Sequence, residues 1–254
     1  MMALSIVKRI AESTVGRWLA QERIRPWRFH TWQHILDPKA FLQRARPILS
    51  LYERAKDLLC EGIWVVCSDE KTSIQARRRE RQTVPAGRGY PVHLSPRYER
   101  CGAVHLFAGL SVADGRAYGM CRNRKRFVDF QAFLLEVILP EALRRGVHTV
   151  ALVLDNGTTH APRQLENWLN QVIHEKGWSL RVESHWLPPN ASWLDQIEIW
   201  FSVLQRKLLQ PNDFESVQAL VKAIGSFVRY HNRTAKPIHW TYTIEKLEQK
   251  LGAH

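Results

Sequence analysis

The chain has 254 residues, with 37 Lys and Arg against 24 Asp and Glu, a formal net charge of +13, and 45% hydrophobic residues including 10 Trp. That composition suits one large domain, or a domain with a small module, and its cation excess points to a polyanionic partner: nucleic acid first, an anionic membrane surface second. No apolar run reaches the roughly 18 residues a membrane-spanning helix needs, and the N-terminal apolar stretch is too short for a secretory signal. Cys60, Cys67, Cys101 and Cys121 form no CxxC pair, so the expectation is reduced thiols in a cytoplasmic protein with no membrane partner.

Residues 1–45 are basic and helical in character, with Ile6, Ile10, Val15, Trp18 and Leu19 loosely at helical spacing. Residues 13–19 could begin a helix with polar residues at its N-terminal end, as a helix-turn-helix recognition helix presents itself to the major groove. Arg17, Arg25 and Arg28 are the DNA-contact candidates there. Residues 38–60 read as a further helix, on Phe41, Ala45, Ile48, Leu51, Tyr52, Ala55 and Leu59. Residues 63–67 are continuously apolar, consistent with a strand buried on both faces, and end at Ser68-Asp69-Glu70. A polar, basic segment follows with Lys71, Arg77, Arg78, Arg79, Arg81 and Arg88. Such a run reads as a solvated loop, or, just past a strand end that carries carboxylates, as a track for a phosphate backbone.

Two strands, 105–112 and 117–121, flank Asp114-Gly115, a strong hairpin signal because both residues tolerate positive φ. A helix over 127–139 is ended or kinked by Pro140. Residues 149–154 form a second apolar strand, ending at Asp155-Asn156. A helix with Pro162 early in it, a strand over 179–187, a helix after the Pro188-Pro189 pair and a last amphipathic helix over 214–230 complete the order. Core strands bounded by helices imply an α/β sheet covered on both faces.

In the helix after Pro188-Pro189, Ser192 reads as the N-cap, with Asp195 three residues on. Trp193, Leu194, Ile197, Trp200, Phe201, Leu204 and Leu208 then fall within a sector of about 120°, expected to be the buried face, and Glu198 lies roughly 40° beyond its edge. A carboxylate at such a rim can lean into a cleft. Asp69 and Asp155 each follow an apolar strand, where α/β sheets gather their ligand sites. Two or three carboxylates in a basic chain suit Mg2+ or Mn2+, and two such ions can activate one oxygen and stabilise another in phosphoryl transfer. Glu70, Asp195 and His160 stand close enough in sequence to compete for roles, and an isolated Asp after a strand is as readily a turn or cap residue.

Residues 68–72, the Leu154-Asp155-Asn156 block with His160, and the run from Pro188 to Phe201 resemble the three signature blocks of DDE transposases, specifically the bacterial insertion-sequence branch of the mariner superfamily. The C-terminal Tyr230-His231-Asn232 and residues 237–241 resemble that branch too. The resemblance implies an RNase H-like mixed sheet flanked by helices over 46–254, with C-terminal helices from about 213, preceded over 1–45 by a partial helix-turn-helix segment and linker. It implies that Asp69, Asp155 and Glu198 are catalytic and hold two Mg2+ ions, with Mn2+ as substitute, and that Asn156, His160 and Asp195 lie behind them. Asp195 departs from the family pattern, where Asn is more usual, and the family's two helix-turn-helix units are represented only in part, so the chain is expected to be N-terminally incomplete.

The expected activity is metal-dependent cleavage at transposon ends and strand transfer into target DNA, in the bacterial cytoplasm at the nucleoid. The expected partners are double-stranded DNA, both terminal inverted repeats and target, and a second copy of the chain when DNA is bound. Arg77, Arg78, Arg79 and Arg81 are the expected backbone contacts. A catalytically idle DNA-binding remnant or regulator of a related transposase is the main alternative; an RNase H-like nuclease of repair or RNA is the third.

Overall fold

The computed structural model describes residues 10–22, 35 and 37–252. They fall into two units divided between Leu36 and Asp37. The first contains helix α1 (Glu12–Gln21), on which Arg17 is exposed. Arg25 and Arg28 lie outside the described residues, as does the basic connector that carries them.

The larger unit opens with α2 (Pro38–Glu53) and α3 (Ala55–Cys60). Asp37 caps α2 by accepting the Ala40 N–H at 3.0 Å, and Pro38 occupies the first turn, where its missing N–H costs nothing. Five strands follow, interleaved with helices: β1 (Ile63–Arg79), β2 (Tyr98–Ser111), β3 (Ala117–Arg122), α4 (Phe127–Phe133), α5 (Leu139–Arg145), β4 (Thr149–Leu154), α6 (Pro162–Glu175) and β5 (Arg181–Trp186). The chain ends in α7 (Gln196–Lys207), α8 (Val217–Arg233) and α9 (Ile244–Gly252). Among the described residues, no helix is long and apolar enough to cross a membrane.

The sheet order is β3-β2-β1-β4-β5, antiparallel across β3, β2 and β1 and parallel across β1, β4 and β5. Helices cover both faces, the mixed α/β arrangement expected. Along β1 the pleat sends alternate side chains to opposite faces. Trp64 and Val66 join Val150, Leu152 and Leu154 in a core closed by Phe130, Phe133, Ile138 and Leu165. Val65 and Cys67 face the other way, where the Cys67 thiol donates to the Tyr52 hydroxyl of α2 at 3.2 Å.

Three local expectations are corrected. Residues 71–79 are strand, because Ile74 and Ala76 are buried at alternate positions while Tyr98 to Val104 pair alongside; register shifts after Lys71 and Gln75, with Ser73 at φ 52°, accommodate the polar residues between. Pro140 does not end its helix: a π-helical turn over Leu134–Ile138 precedes it and α5 continues. Ser192 does not cap α7. It opens a short 3-10 turn, Ser192–Leu194, and Asp195 is the cap, its Oδ1 accepting the Ile197 N–H at 3.2 Å. That shift turns Trp193 outward: it is 43% exposed, stacked on Phe41 and edge-on to Tyr242, instead of lying in the buried sector.

Candidate active site

The position of the two strand-borne aspartates follows from register. In the parallel pair, Ile63 stands beside Thr149 and Cys67 beside Val153. The same offset carried two residues further brings Asp69 beside Asp155, and two residues is one full pleat, so both aspartates share the face of Cys67 and Val153. Adjacent strands run about 4.8 Å apart, which sets the scale of the site. Ligand atoms of Asp69, Asp155 and His160 all lie within 4.8 Å of one another, a grouping able to hold a metal ion. Asp155 follows the carboxyl end of β4, while Asp69 lies within β1, just past the point where its parallel pairing with β4 stops, and the crevice opens where β4 leaves β1.

Asp155 is held from two sides. Its Oδ1 accepts the Gly157 N–H at 2.8 Å and the His160 Nδ1–H at 2.7 Å. Those bonds favour the charged form, and the His160 hydrogen bond, the larger cause, holds the carboxyl below its usual range against partial burial. Gly157 is needed for this closeness, because a Cβ there would stand 2.8 Å from the same oxygen. His160 is fully buried and lies edge-on to Phe130 at 4.6 Å. The turn is further tied to β1: Thr159 donates to Glu70 Oε1 at 3.0 Å, and Glu70 Oε2 lies 3.5 Å from His160 Nε2. Glu70, on the opposite pleat to Asp69, therefore faces the turn that positions Asp155. Asn156 anchors the adjoining segment by donating to the Leu187 carbonyl at 2.6 Å.

Asp69 sits in a different field. Its Oδ1 accepts the Glu70 N–H at 2.7 Å, yet burial pushes its pKa up to about 9, with repulsion from Asp195 next and from Asp155 smaller. Asp195 is itself buried, and its carboxyl is driven well above the ordinary range by burial, with Glu198 and Asp155 adding to it against the Ile197 N–H. The Tyr52 hydroxyl donates to the Leu194 carbonyl at 3.0 Å, so α2 fixes the turn leading into α7. Glu198 stands in the first turn of α7 and is exposed, outside the three-residue grouping.

The arginines of the basic strand end have partners within the protein. Arg77 lies over the Tyr98 ring at 4.7 Å and donates to Gln75; Arg78 pairs with Glu99; Arg79 donates to the Asn212 and Ser95 carbonyls. Arg81 is exposed beyond the strand. Residues that sequence reasoning passed over are Thr159, Gly157 and Lys125, whose ammonium lies 3.7 Å from Glu70. The Asp-Asn-Gly triplet was the available signal for Gly157, as a turn that must close on its own aspartate.

The mixed five-stranded sheet with helices on both faces and two aspartates brought together where β4 leaves β1 is the arrangement of an RNase H-like α/β domain. The family model described as DDE superfamily endonuclease matches residues 64–221, and the chain belongs to that family. No curated protein matches the chain. Among solved structures it is similar to the Mos1 mariner paired-end complex with Mg, at 18% identity and TM-score 0.56, over 96% of this chain and 71% of that one. It is also similar to the Mos1 strand transfer complex, at 18% identity and TM-score 0.52, over 96% and 68%. At that identity the likeness establishes the RNase H-like fold.

Proposed function

We propose that the protein is a DNA transposase of the bacterial insertion-sequence branch of the mariner superfamily. It cuts DNA at element ends and joins the freed 3′-hydroxyl to a target. The observation that supports this is the gathering of Asp69 and Asp155 ligand atoms within 4.8 Å just past the parallel pairing of β1 with β4. The donor set fits a hard dication. Among the described residues, Asp69 and Asp155 each keep Oδ2 without a hydrogen bond, and the Glu198 carboxylate takes none. Burial first, and repulsion from neighbouring carboxylates after it, raise Asp69, and a bound cation relieves that repulsion. Asp69, Asp155 and Glu198 would hold two Mg2+ ions, or Mn2+ in their place, supplying Lewis-acid stabilisation and an activated oxygen nucleophile.

The chain's own residues do the rest. His160 and Gly157 fix Asp155 through one oxygen and leave the other available. Asp195, as cap, fixes the first turn of α7 and with it the origin of Glu198. The net charge of +13 draws the DNA backbone toward an acidic site that would otherwise repel it. Arg78 and Arg81, exposed at the end of β1, contribute to that attraction, and Arg17 does so from α1. Two copies act together, since two DNA ends must be paired.

The test is nicking and linearisation of supercoiled plasmid carrying the flanks of the protein's own coding region, with Mg2+ or Mn2+. The wild type is expected to cleave, and Asp155→Asn and Glu198→Gln to lose activity. Equal cleavage by all three overturns the assignment.

A further inference from the structure

The turn between β3 and α4 carries four cations in five residues: Arg122, Arg124, Lys125 and Arg126. A basic run of this kind is ordinarily a solvated face, but here its members are not equivalent. Arg122 pairs with Glu136 at 2.8 Å. Arg126 pairs with Asp129 at 2.8 Å, and Asp129 also accepts the Arg126 backbone N–H at 3.1 Å, closing the start of α4. The two ends of the turn are thereby pinned to the helical layer over the sheet. Between them, Arg124 is exposed and makes no ion pair among the described residues. Lys125 has one acidic neighbour among them, Glu70, at 3.7 Å.

That neighbour locates the turn. Glu70 is the residue that meets Thr159 and His160, and His160 holds Asp155. The Lys125 side chain is 50% exposed and stands 3.7 Å from Glu70, a long contact that leaves its ammonium open to a further anion from solvent. The arginines of β1 stand in contrast, since Arg77 and Arg79 are engaged with Tyr98, Asn212 and Ser95.

We propose that Arg124 and Lys125 form a phosphate-binding edge of the active site, which grips the backbone of double-stranded DNA beside the strand-end carboxylates. This rests on the DNA-processing reading above. The preformed, pinned turn presents two cations whose side chains are unengaged or open to a further anion, at the border of the acidic cluster where a polyanion most needs compensation.

The test is equilibrium binding of a fluorescent duplex of random sequence to the full chain, by anisotropy over a series of salt concentrations without divalent metal. Each phosphate contact contributes about 0.9 to the slope of log K against log salt. The double variant Arg124→Ala/Lys125→Ala is expected to lose about 1–2 from the slope and on the order of tenfold or more in affinity at moderate salt. Lys125→Arg should retain the wild-type slope. Arg181→Ala is the control: Arg181 is exposed and pairs with Glu183 at the start of β5, the opposite end of the sheet from Asp155. A double variant with the wild-type slope, or an Arg181→Ala loss as large, overturns the proposal while leaving the DNA reading intact. A wild type that shows no salt-dependent DNA binding overturns both.

Discussion

The strand-borne and helix-borne halves of the site are built differently. Asp155 is fixed by Gly157, His160 and, through His160, Glu70; Asp69 is held in a parallel register with it. Glu198 stands exposed on α7, its carboxylate taking no hydrogen bond among the described residues. The sheet thus presets two oxygen donors, while the helix offers a third whose order depends on what binds. Within the strand half there is a second contrast. The Asp155 carboxyl is held down by its hydrogen bonds, whereas that of Asp69 is pushed up to about 9 by burial and by Asp195 and Asp155. The two carboxyls are thus pushed in opposite directions, and a cation that binds both favours the ionised form of each.

The largest expected effect comes from removing either preset donor. Asp69→Asn and Asp155→Asn should each lower DNA cleavage by on the order of a thousandfold or more, since several kcal/mol of charge stabilisation is lost. Thermal unfolding should show both variants folded. His160→Ala comes next. It strips Asp155 of the hydrogen bond at 2.7 Å and opens a space against Phe130. Loss of such a supporting contact typically weakens metal affinity by about 10–100-fold, measured as Mn2+ binding by calorimetry; His160→Asn should restore part of it.

The pH dependence sharpens the difference between the two aspartates. Asp69 has a folded pKa raised to about 9 above its ordinary value of 3.8, so its contribution to stability is fully present below that ordinary value and is lost as pH rises toward 9. The metal-free protein should lose melting temperature between about pH 5 and 9, Asp69→Asn should flatten the decline, and Mn2+ affinity should rise over the same range. Asp155 works in the opposite direction, its contribution being lost only in acid, as pH falls through its lowered pKa. Asp195→Asn keeps a capping side chain while removing a charge that raises Asp69. It should shift the rise in Mn2+ affinity to lower pH. The smallest effect is expected from Gly157→Ala, whose Cβ would crowd Asp155 Oδ1 at 2.8 Å and weaken Mn2+ binding by a few-fold without unfolding the chain.

Much of this organisation was legible in the sequence, because the apolar runs before Asp69 and Asp155 mark segments buried on both faces, and the crevice begins where their parallel pairing stops. What brings the two aspartates together is a parallel register between distant segments, which no local pattern encodes. The continuation of β1 to Arg79 was hidden by its charged residues; the alternation of Ile74 and Ala76 with polar neighbours was its only trace. The start of α7 misled because Ser192 has capping chemistry, while the intervening 3-10 turn gave the cap to Asp195 and turned Trp193 outward. Glu70 as a tie to Thr159 and His160 was not legible either, because it depends on how a turn from β4 folds back over β1.

The strand and helix halves of the site are expected to hold metal together. Free Mn2+ can be followed by electron paramagnetic resonance during titration of the wild type, Asp155→Asn and Glu198→Gln at neutral pH. Two ions are expected to bind the wild type, with binding all but abolished in Asp155→Asn and weakened, with loss of one ion, in Glu198→Gln. Identical titrations for all three proteins would contradict that expectation.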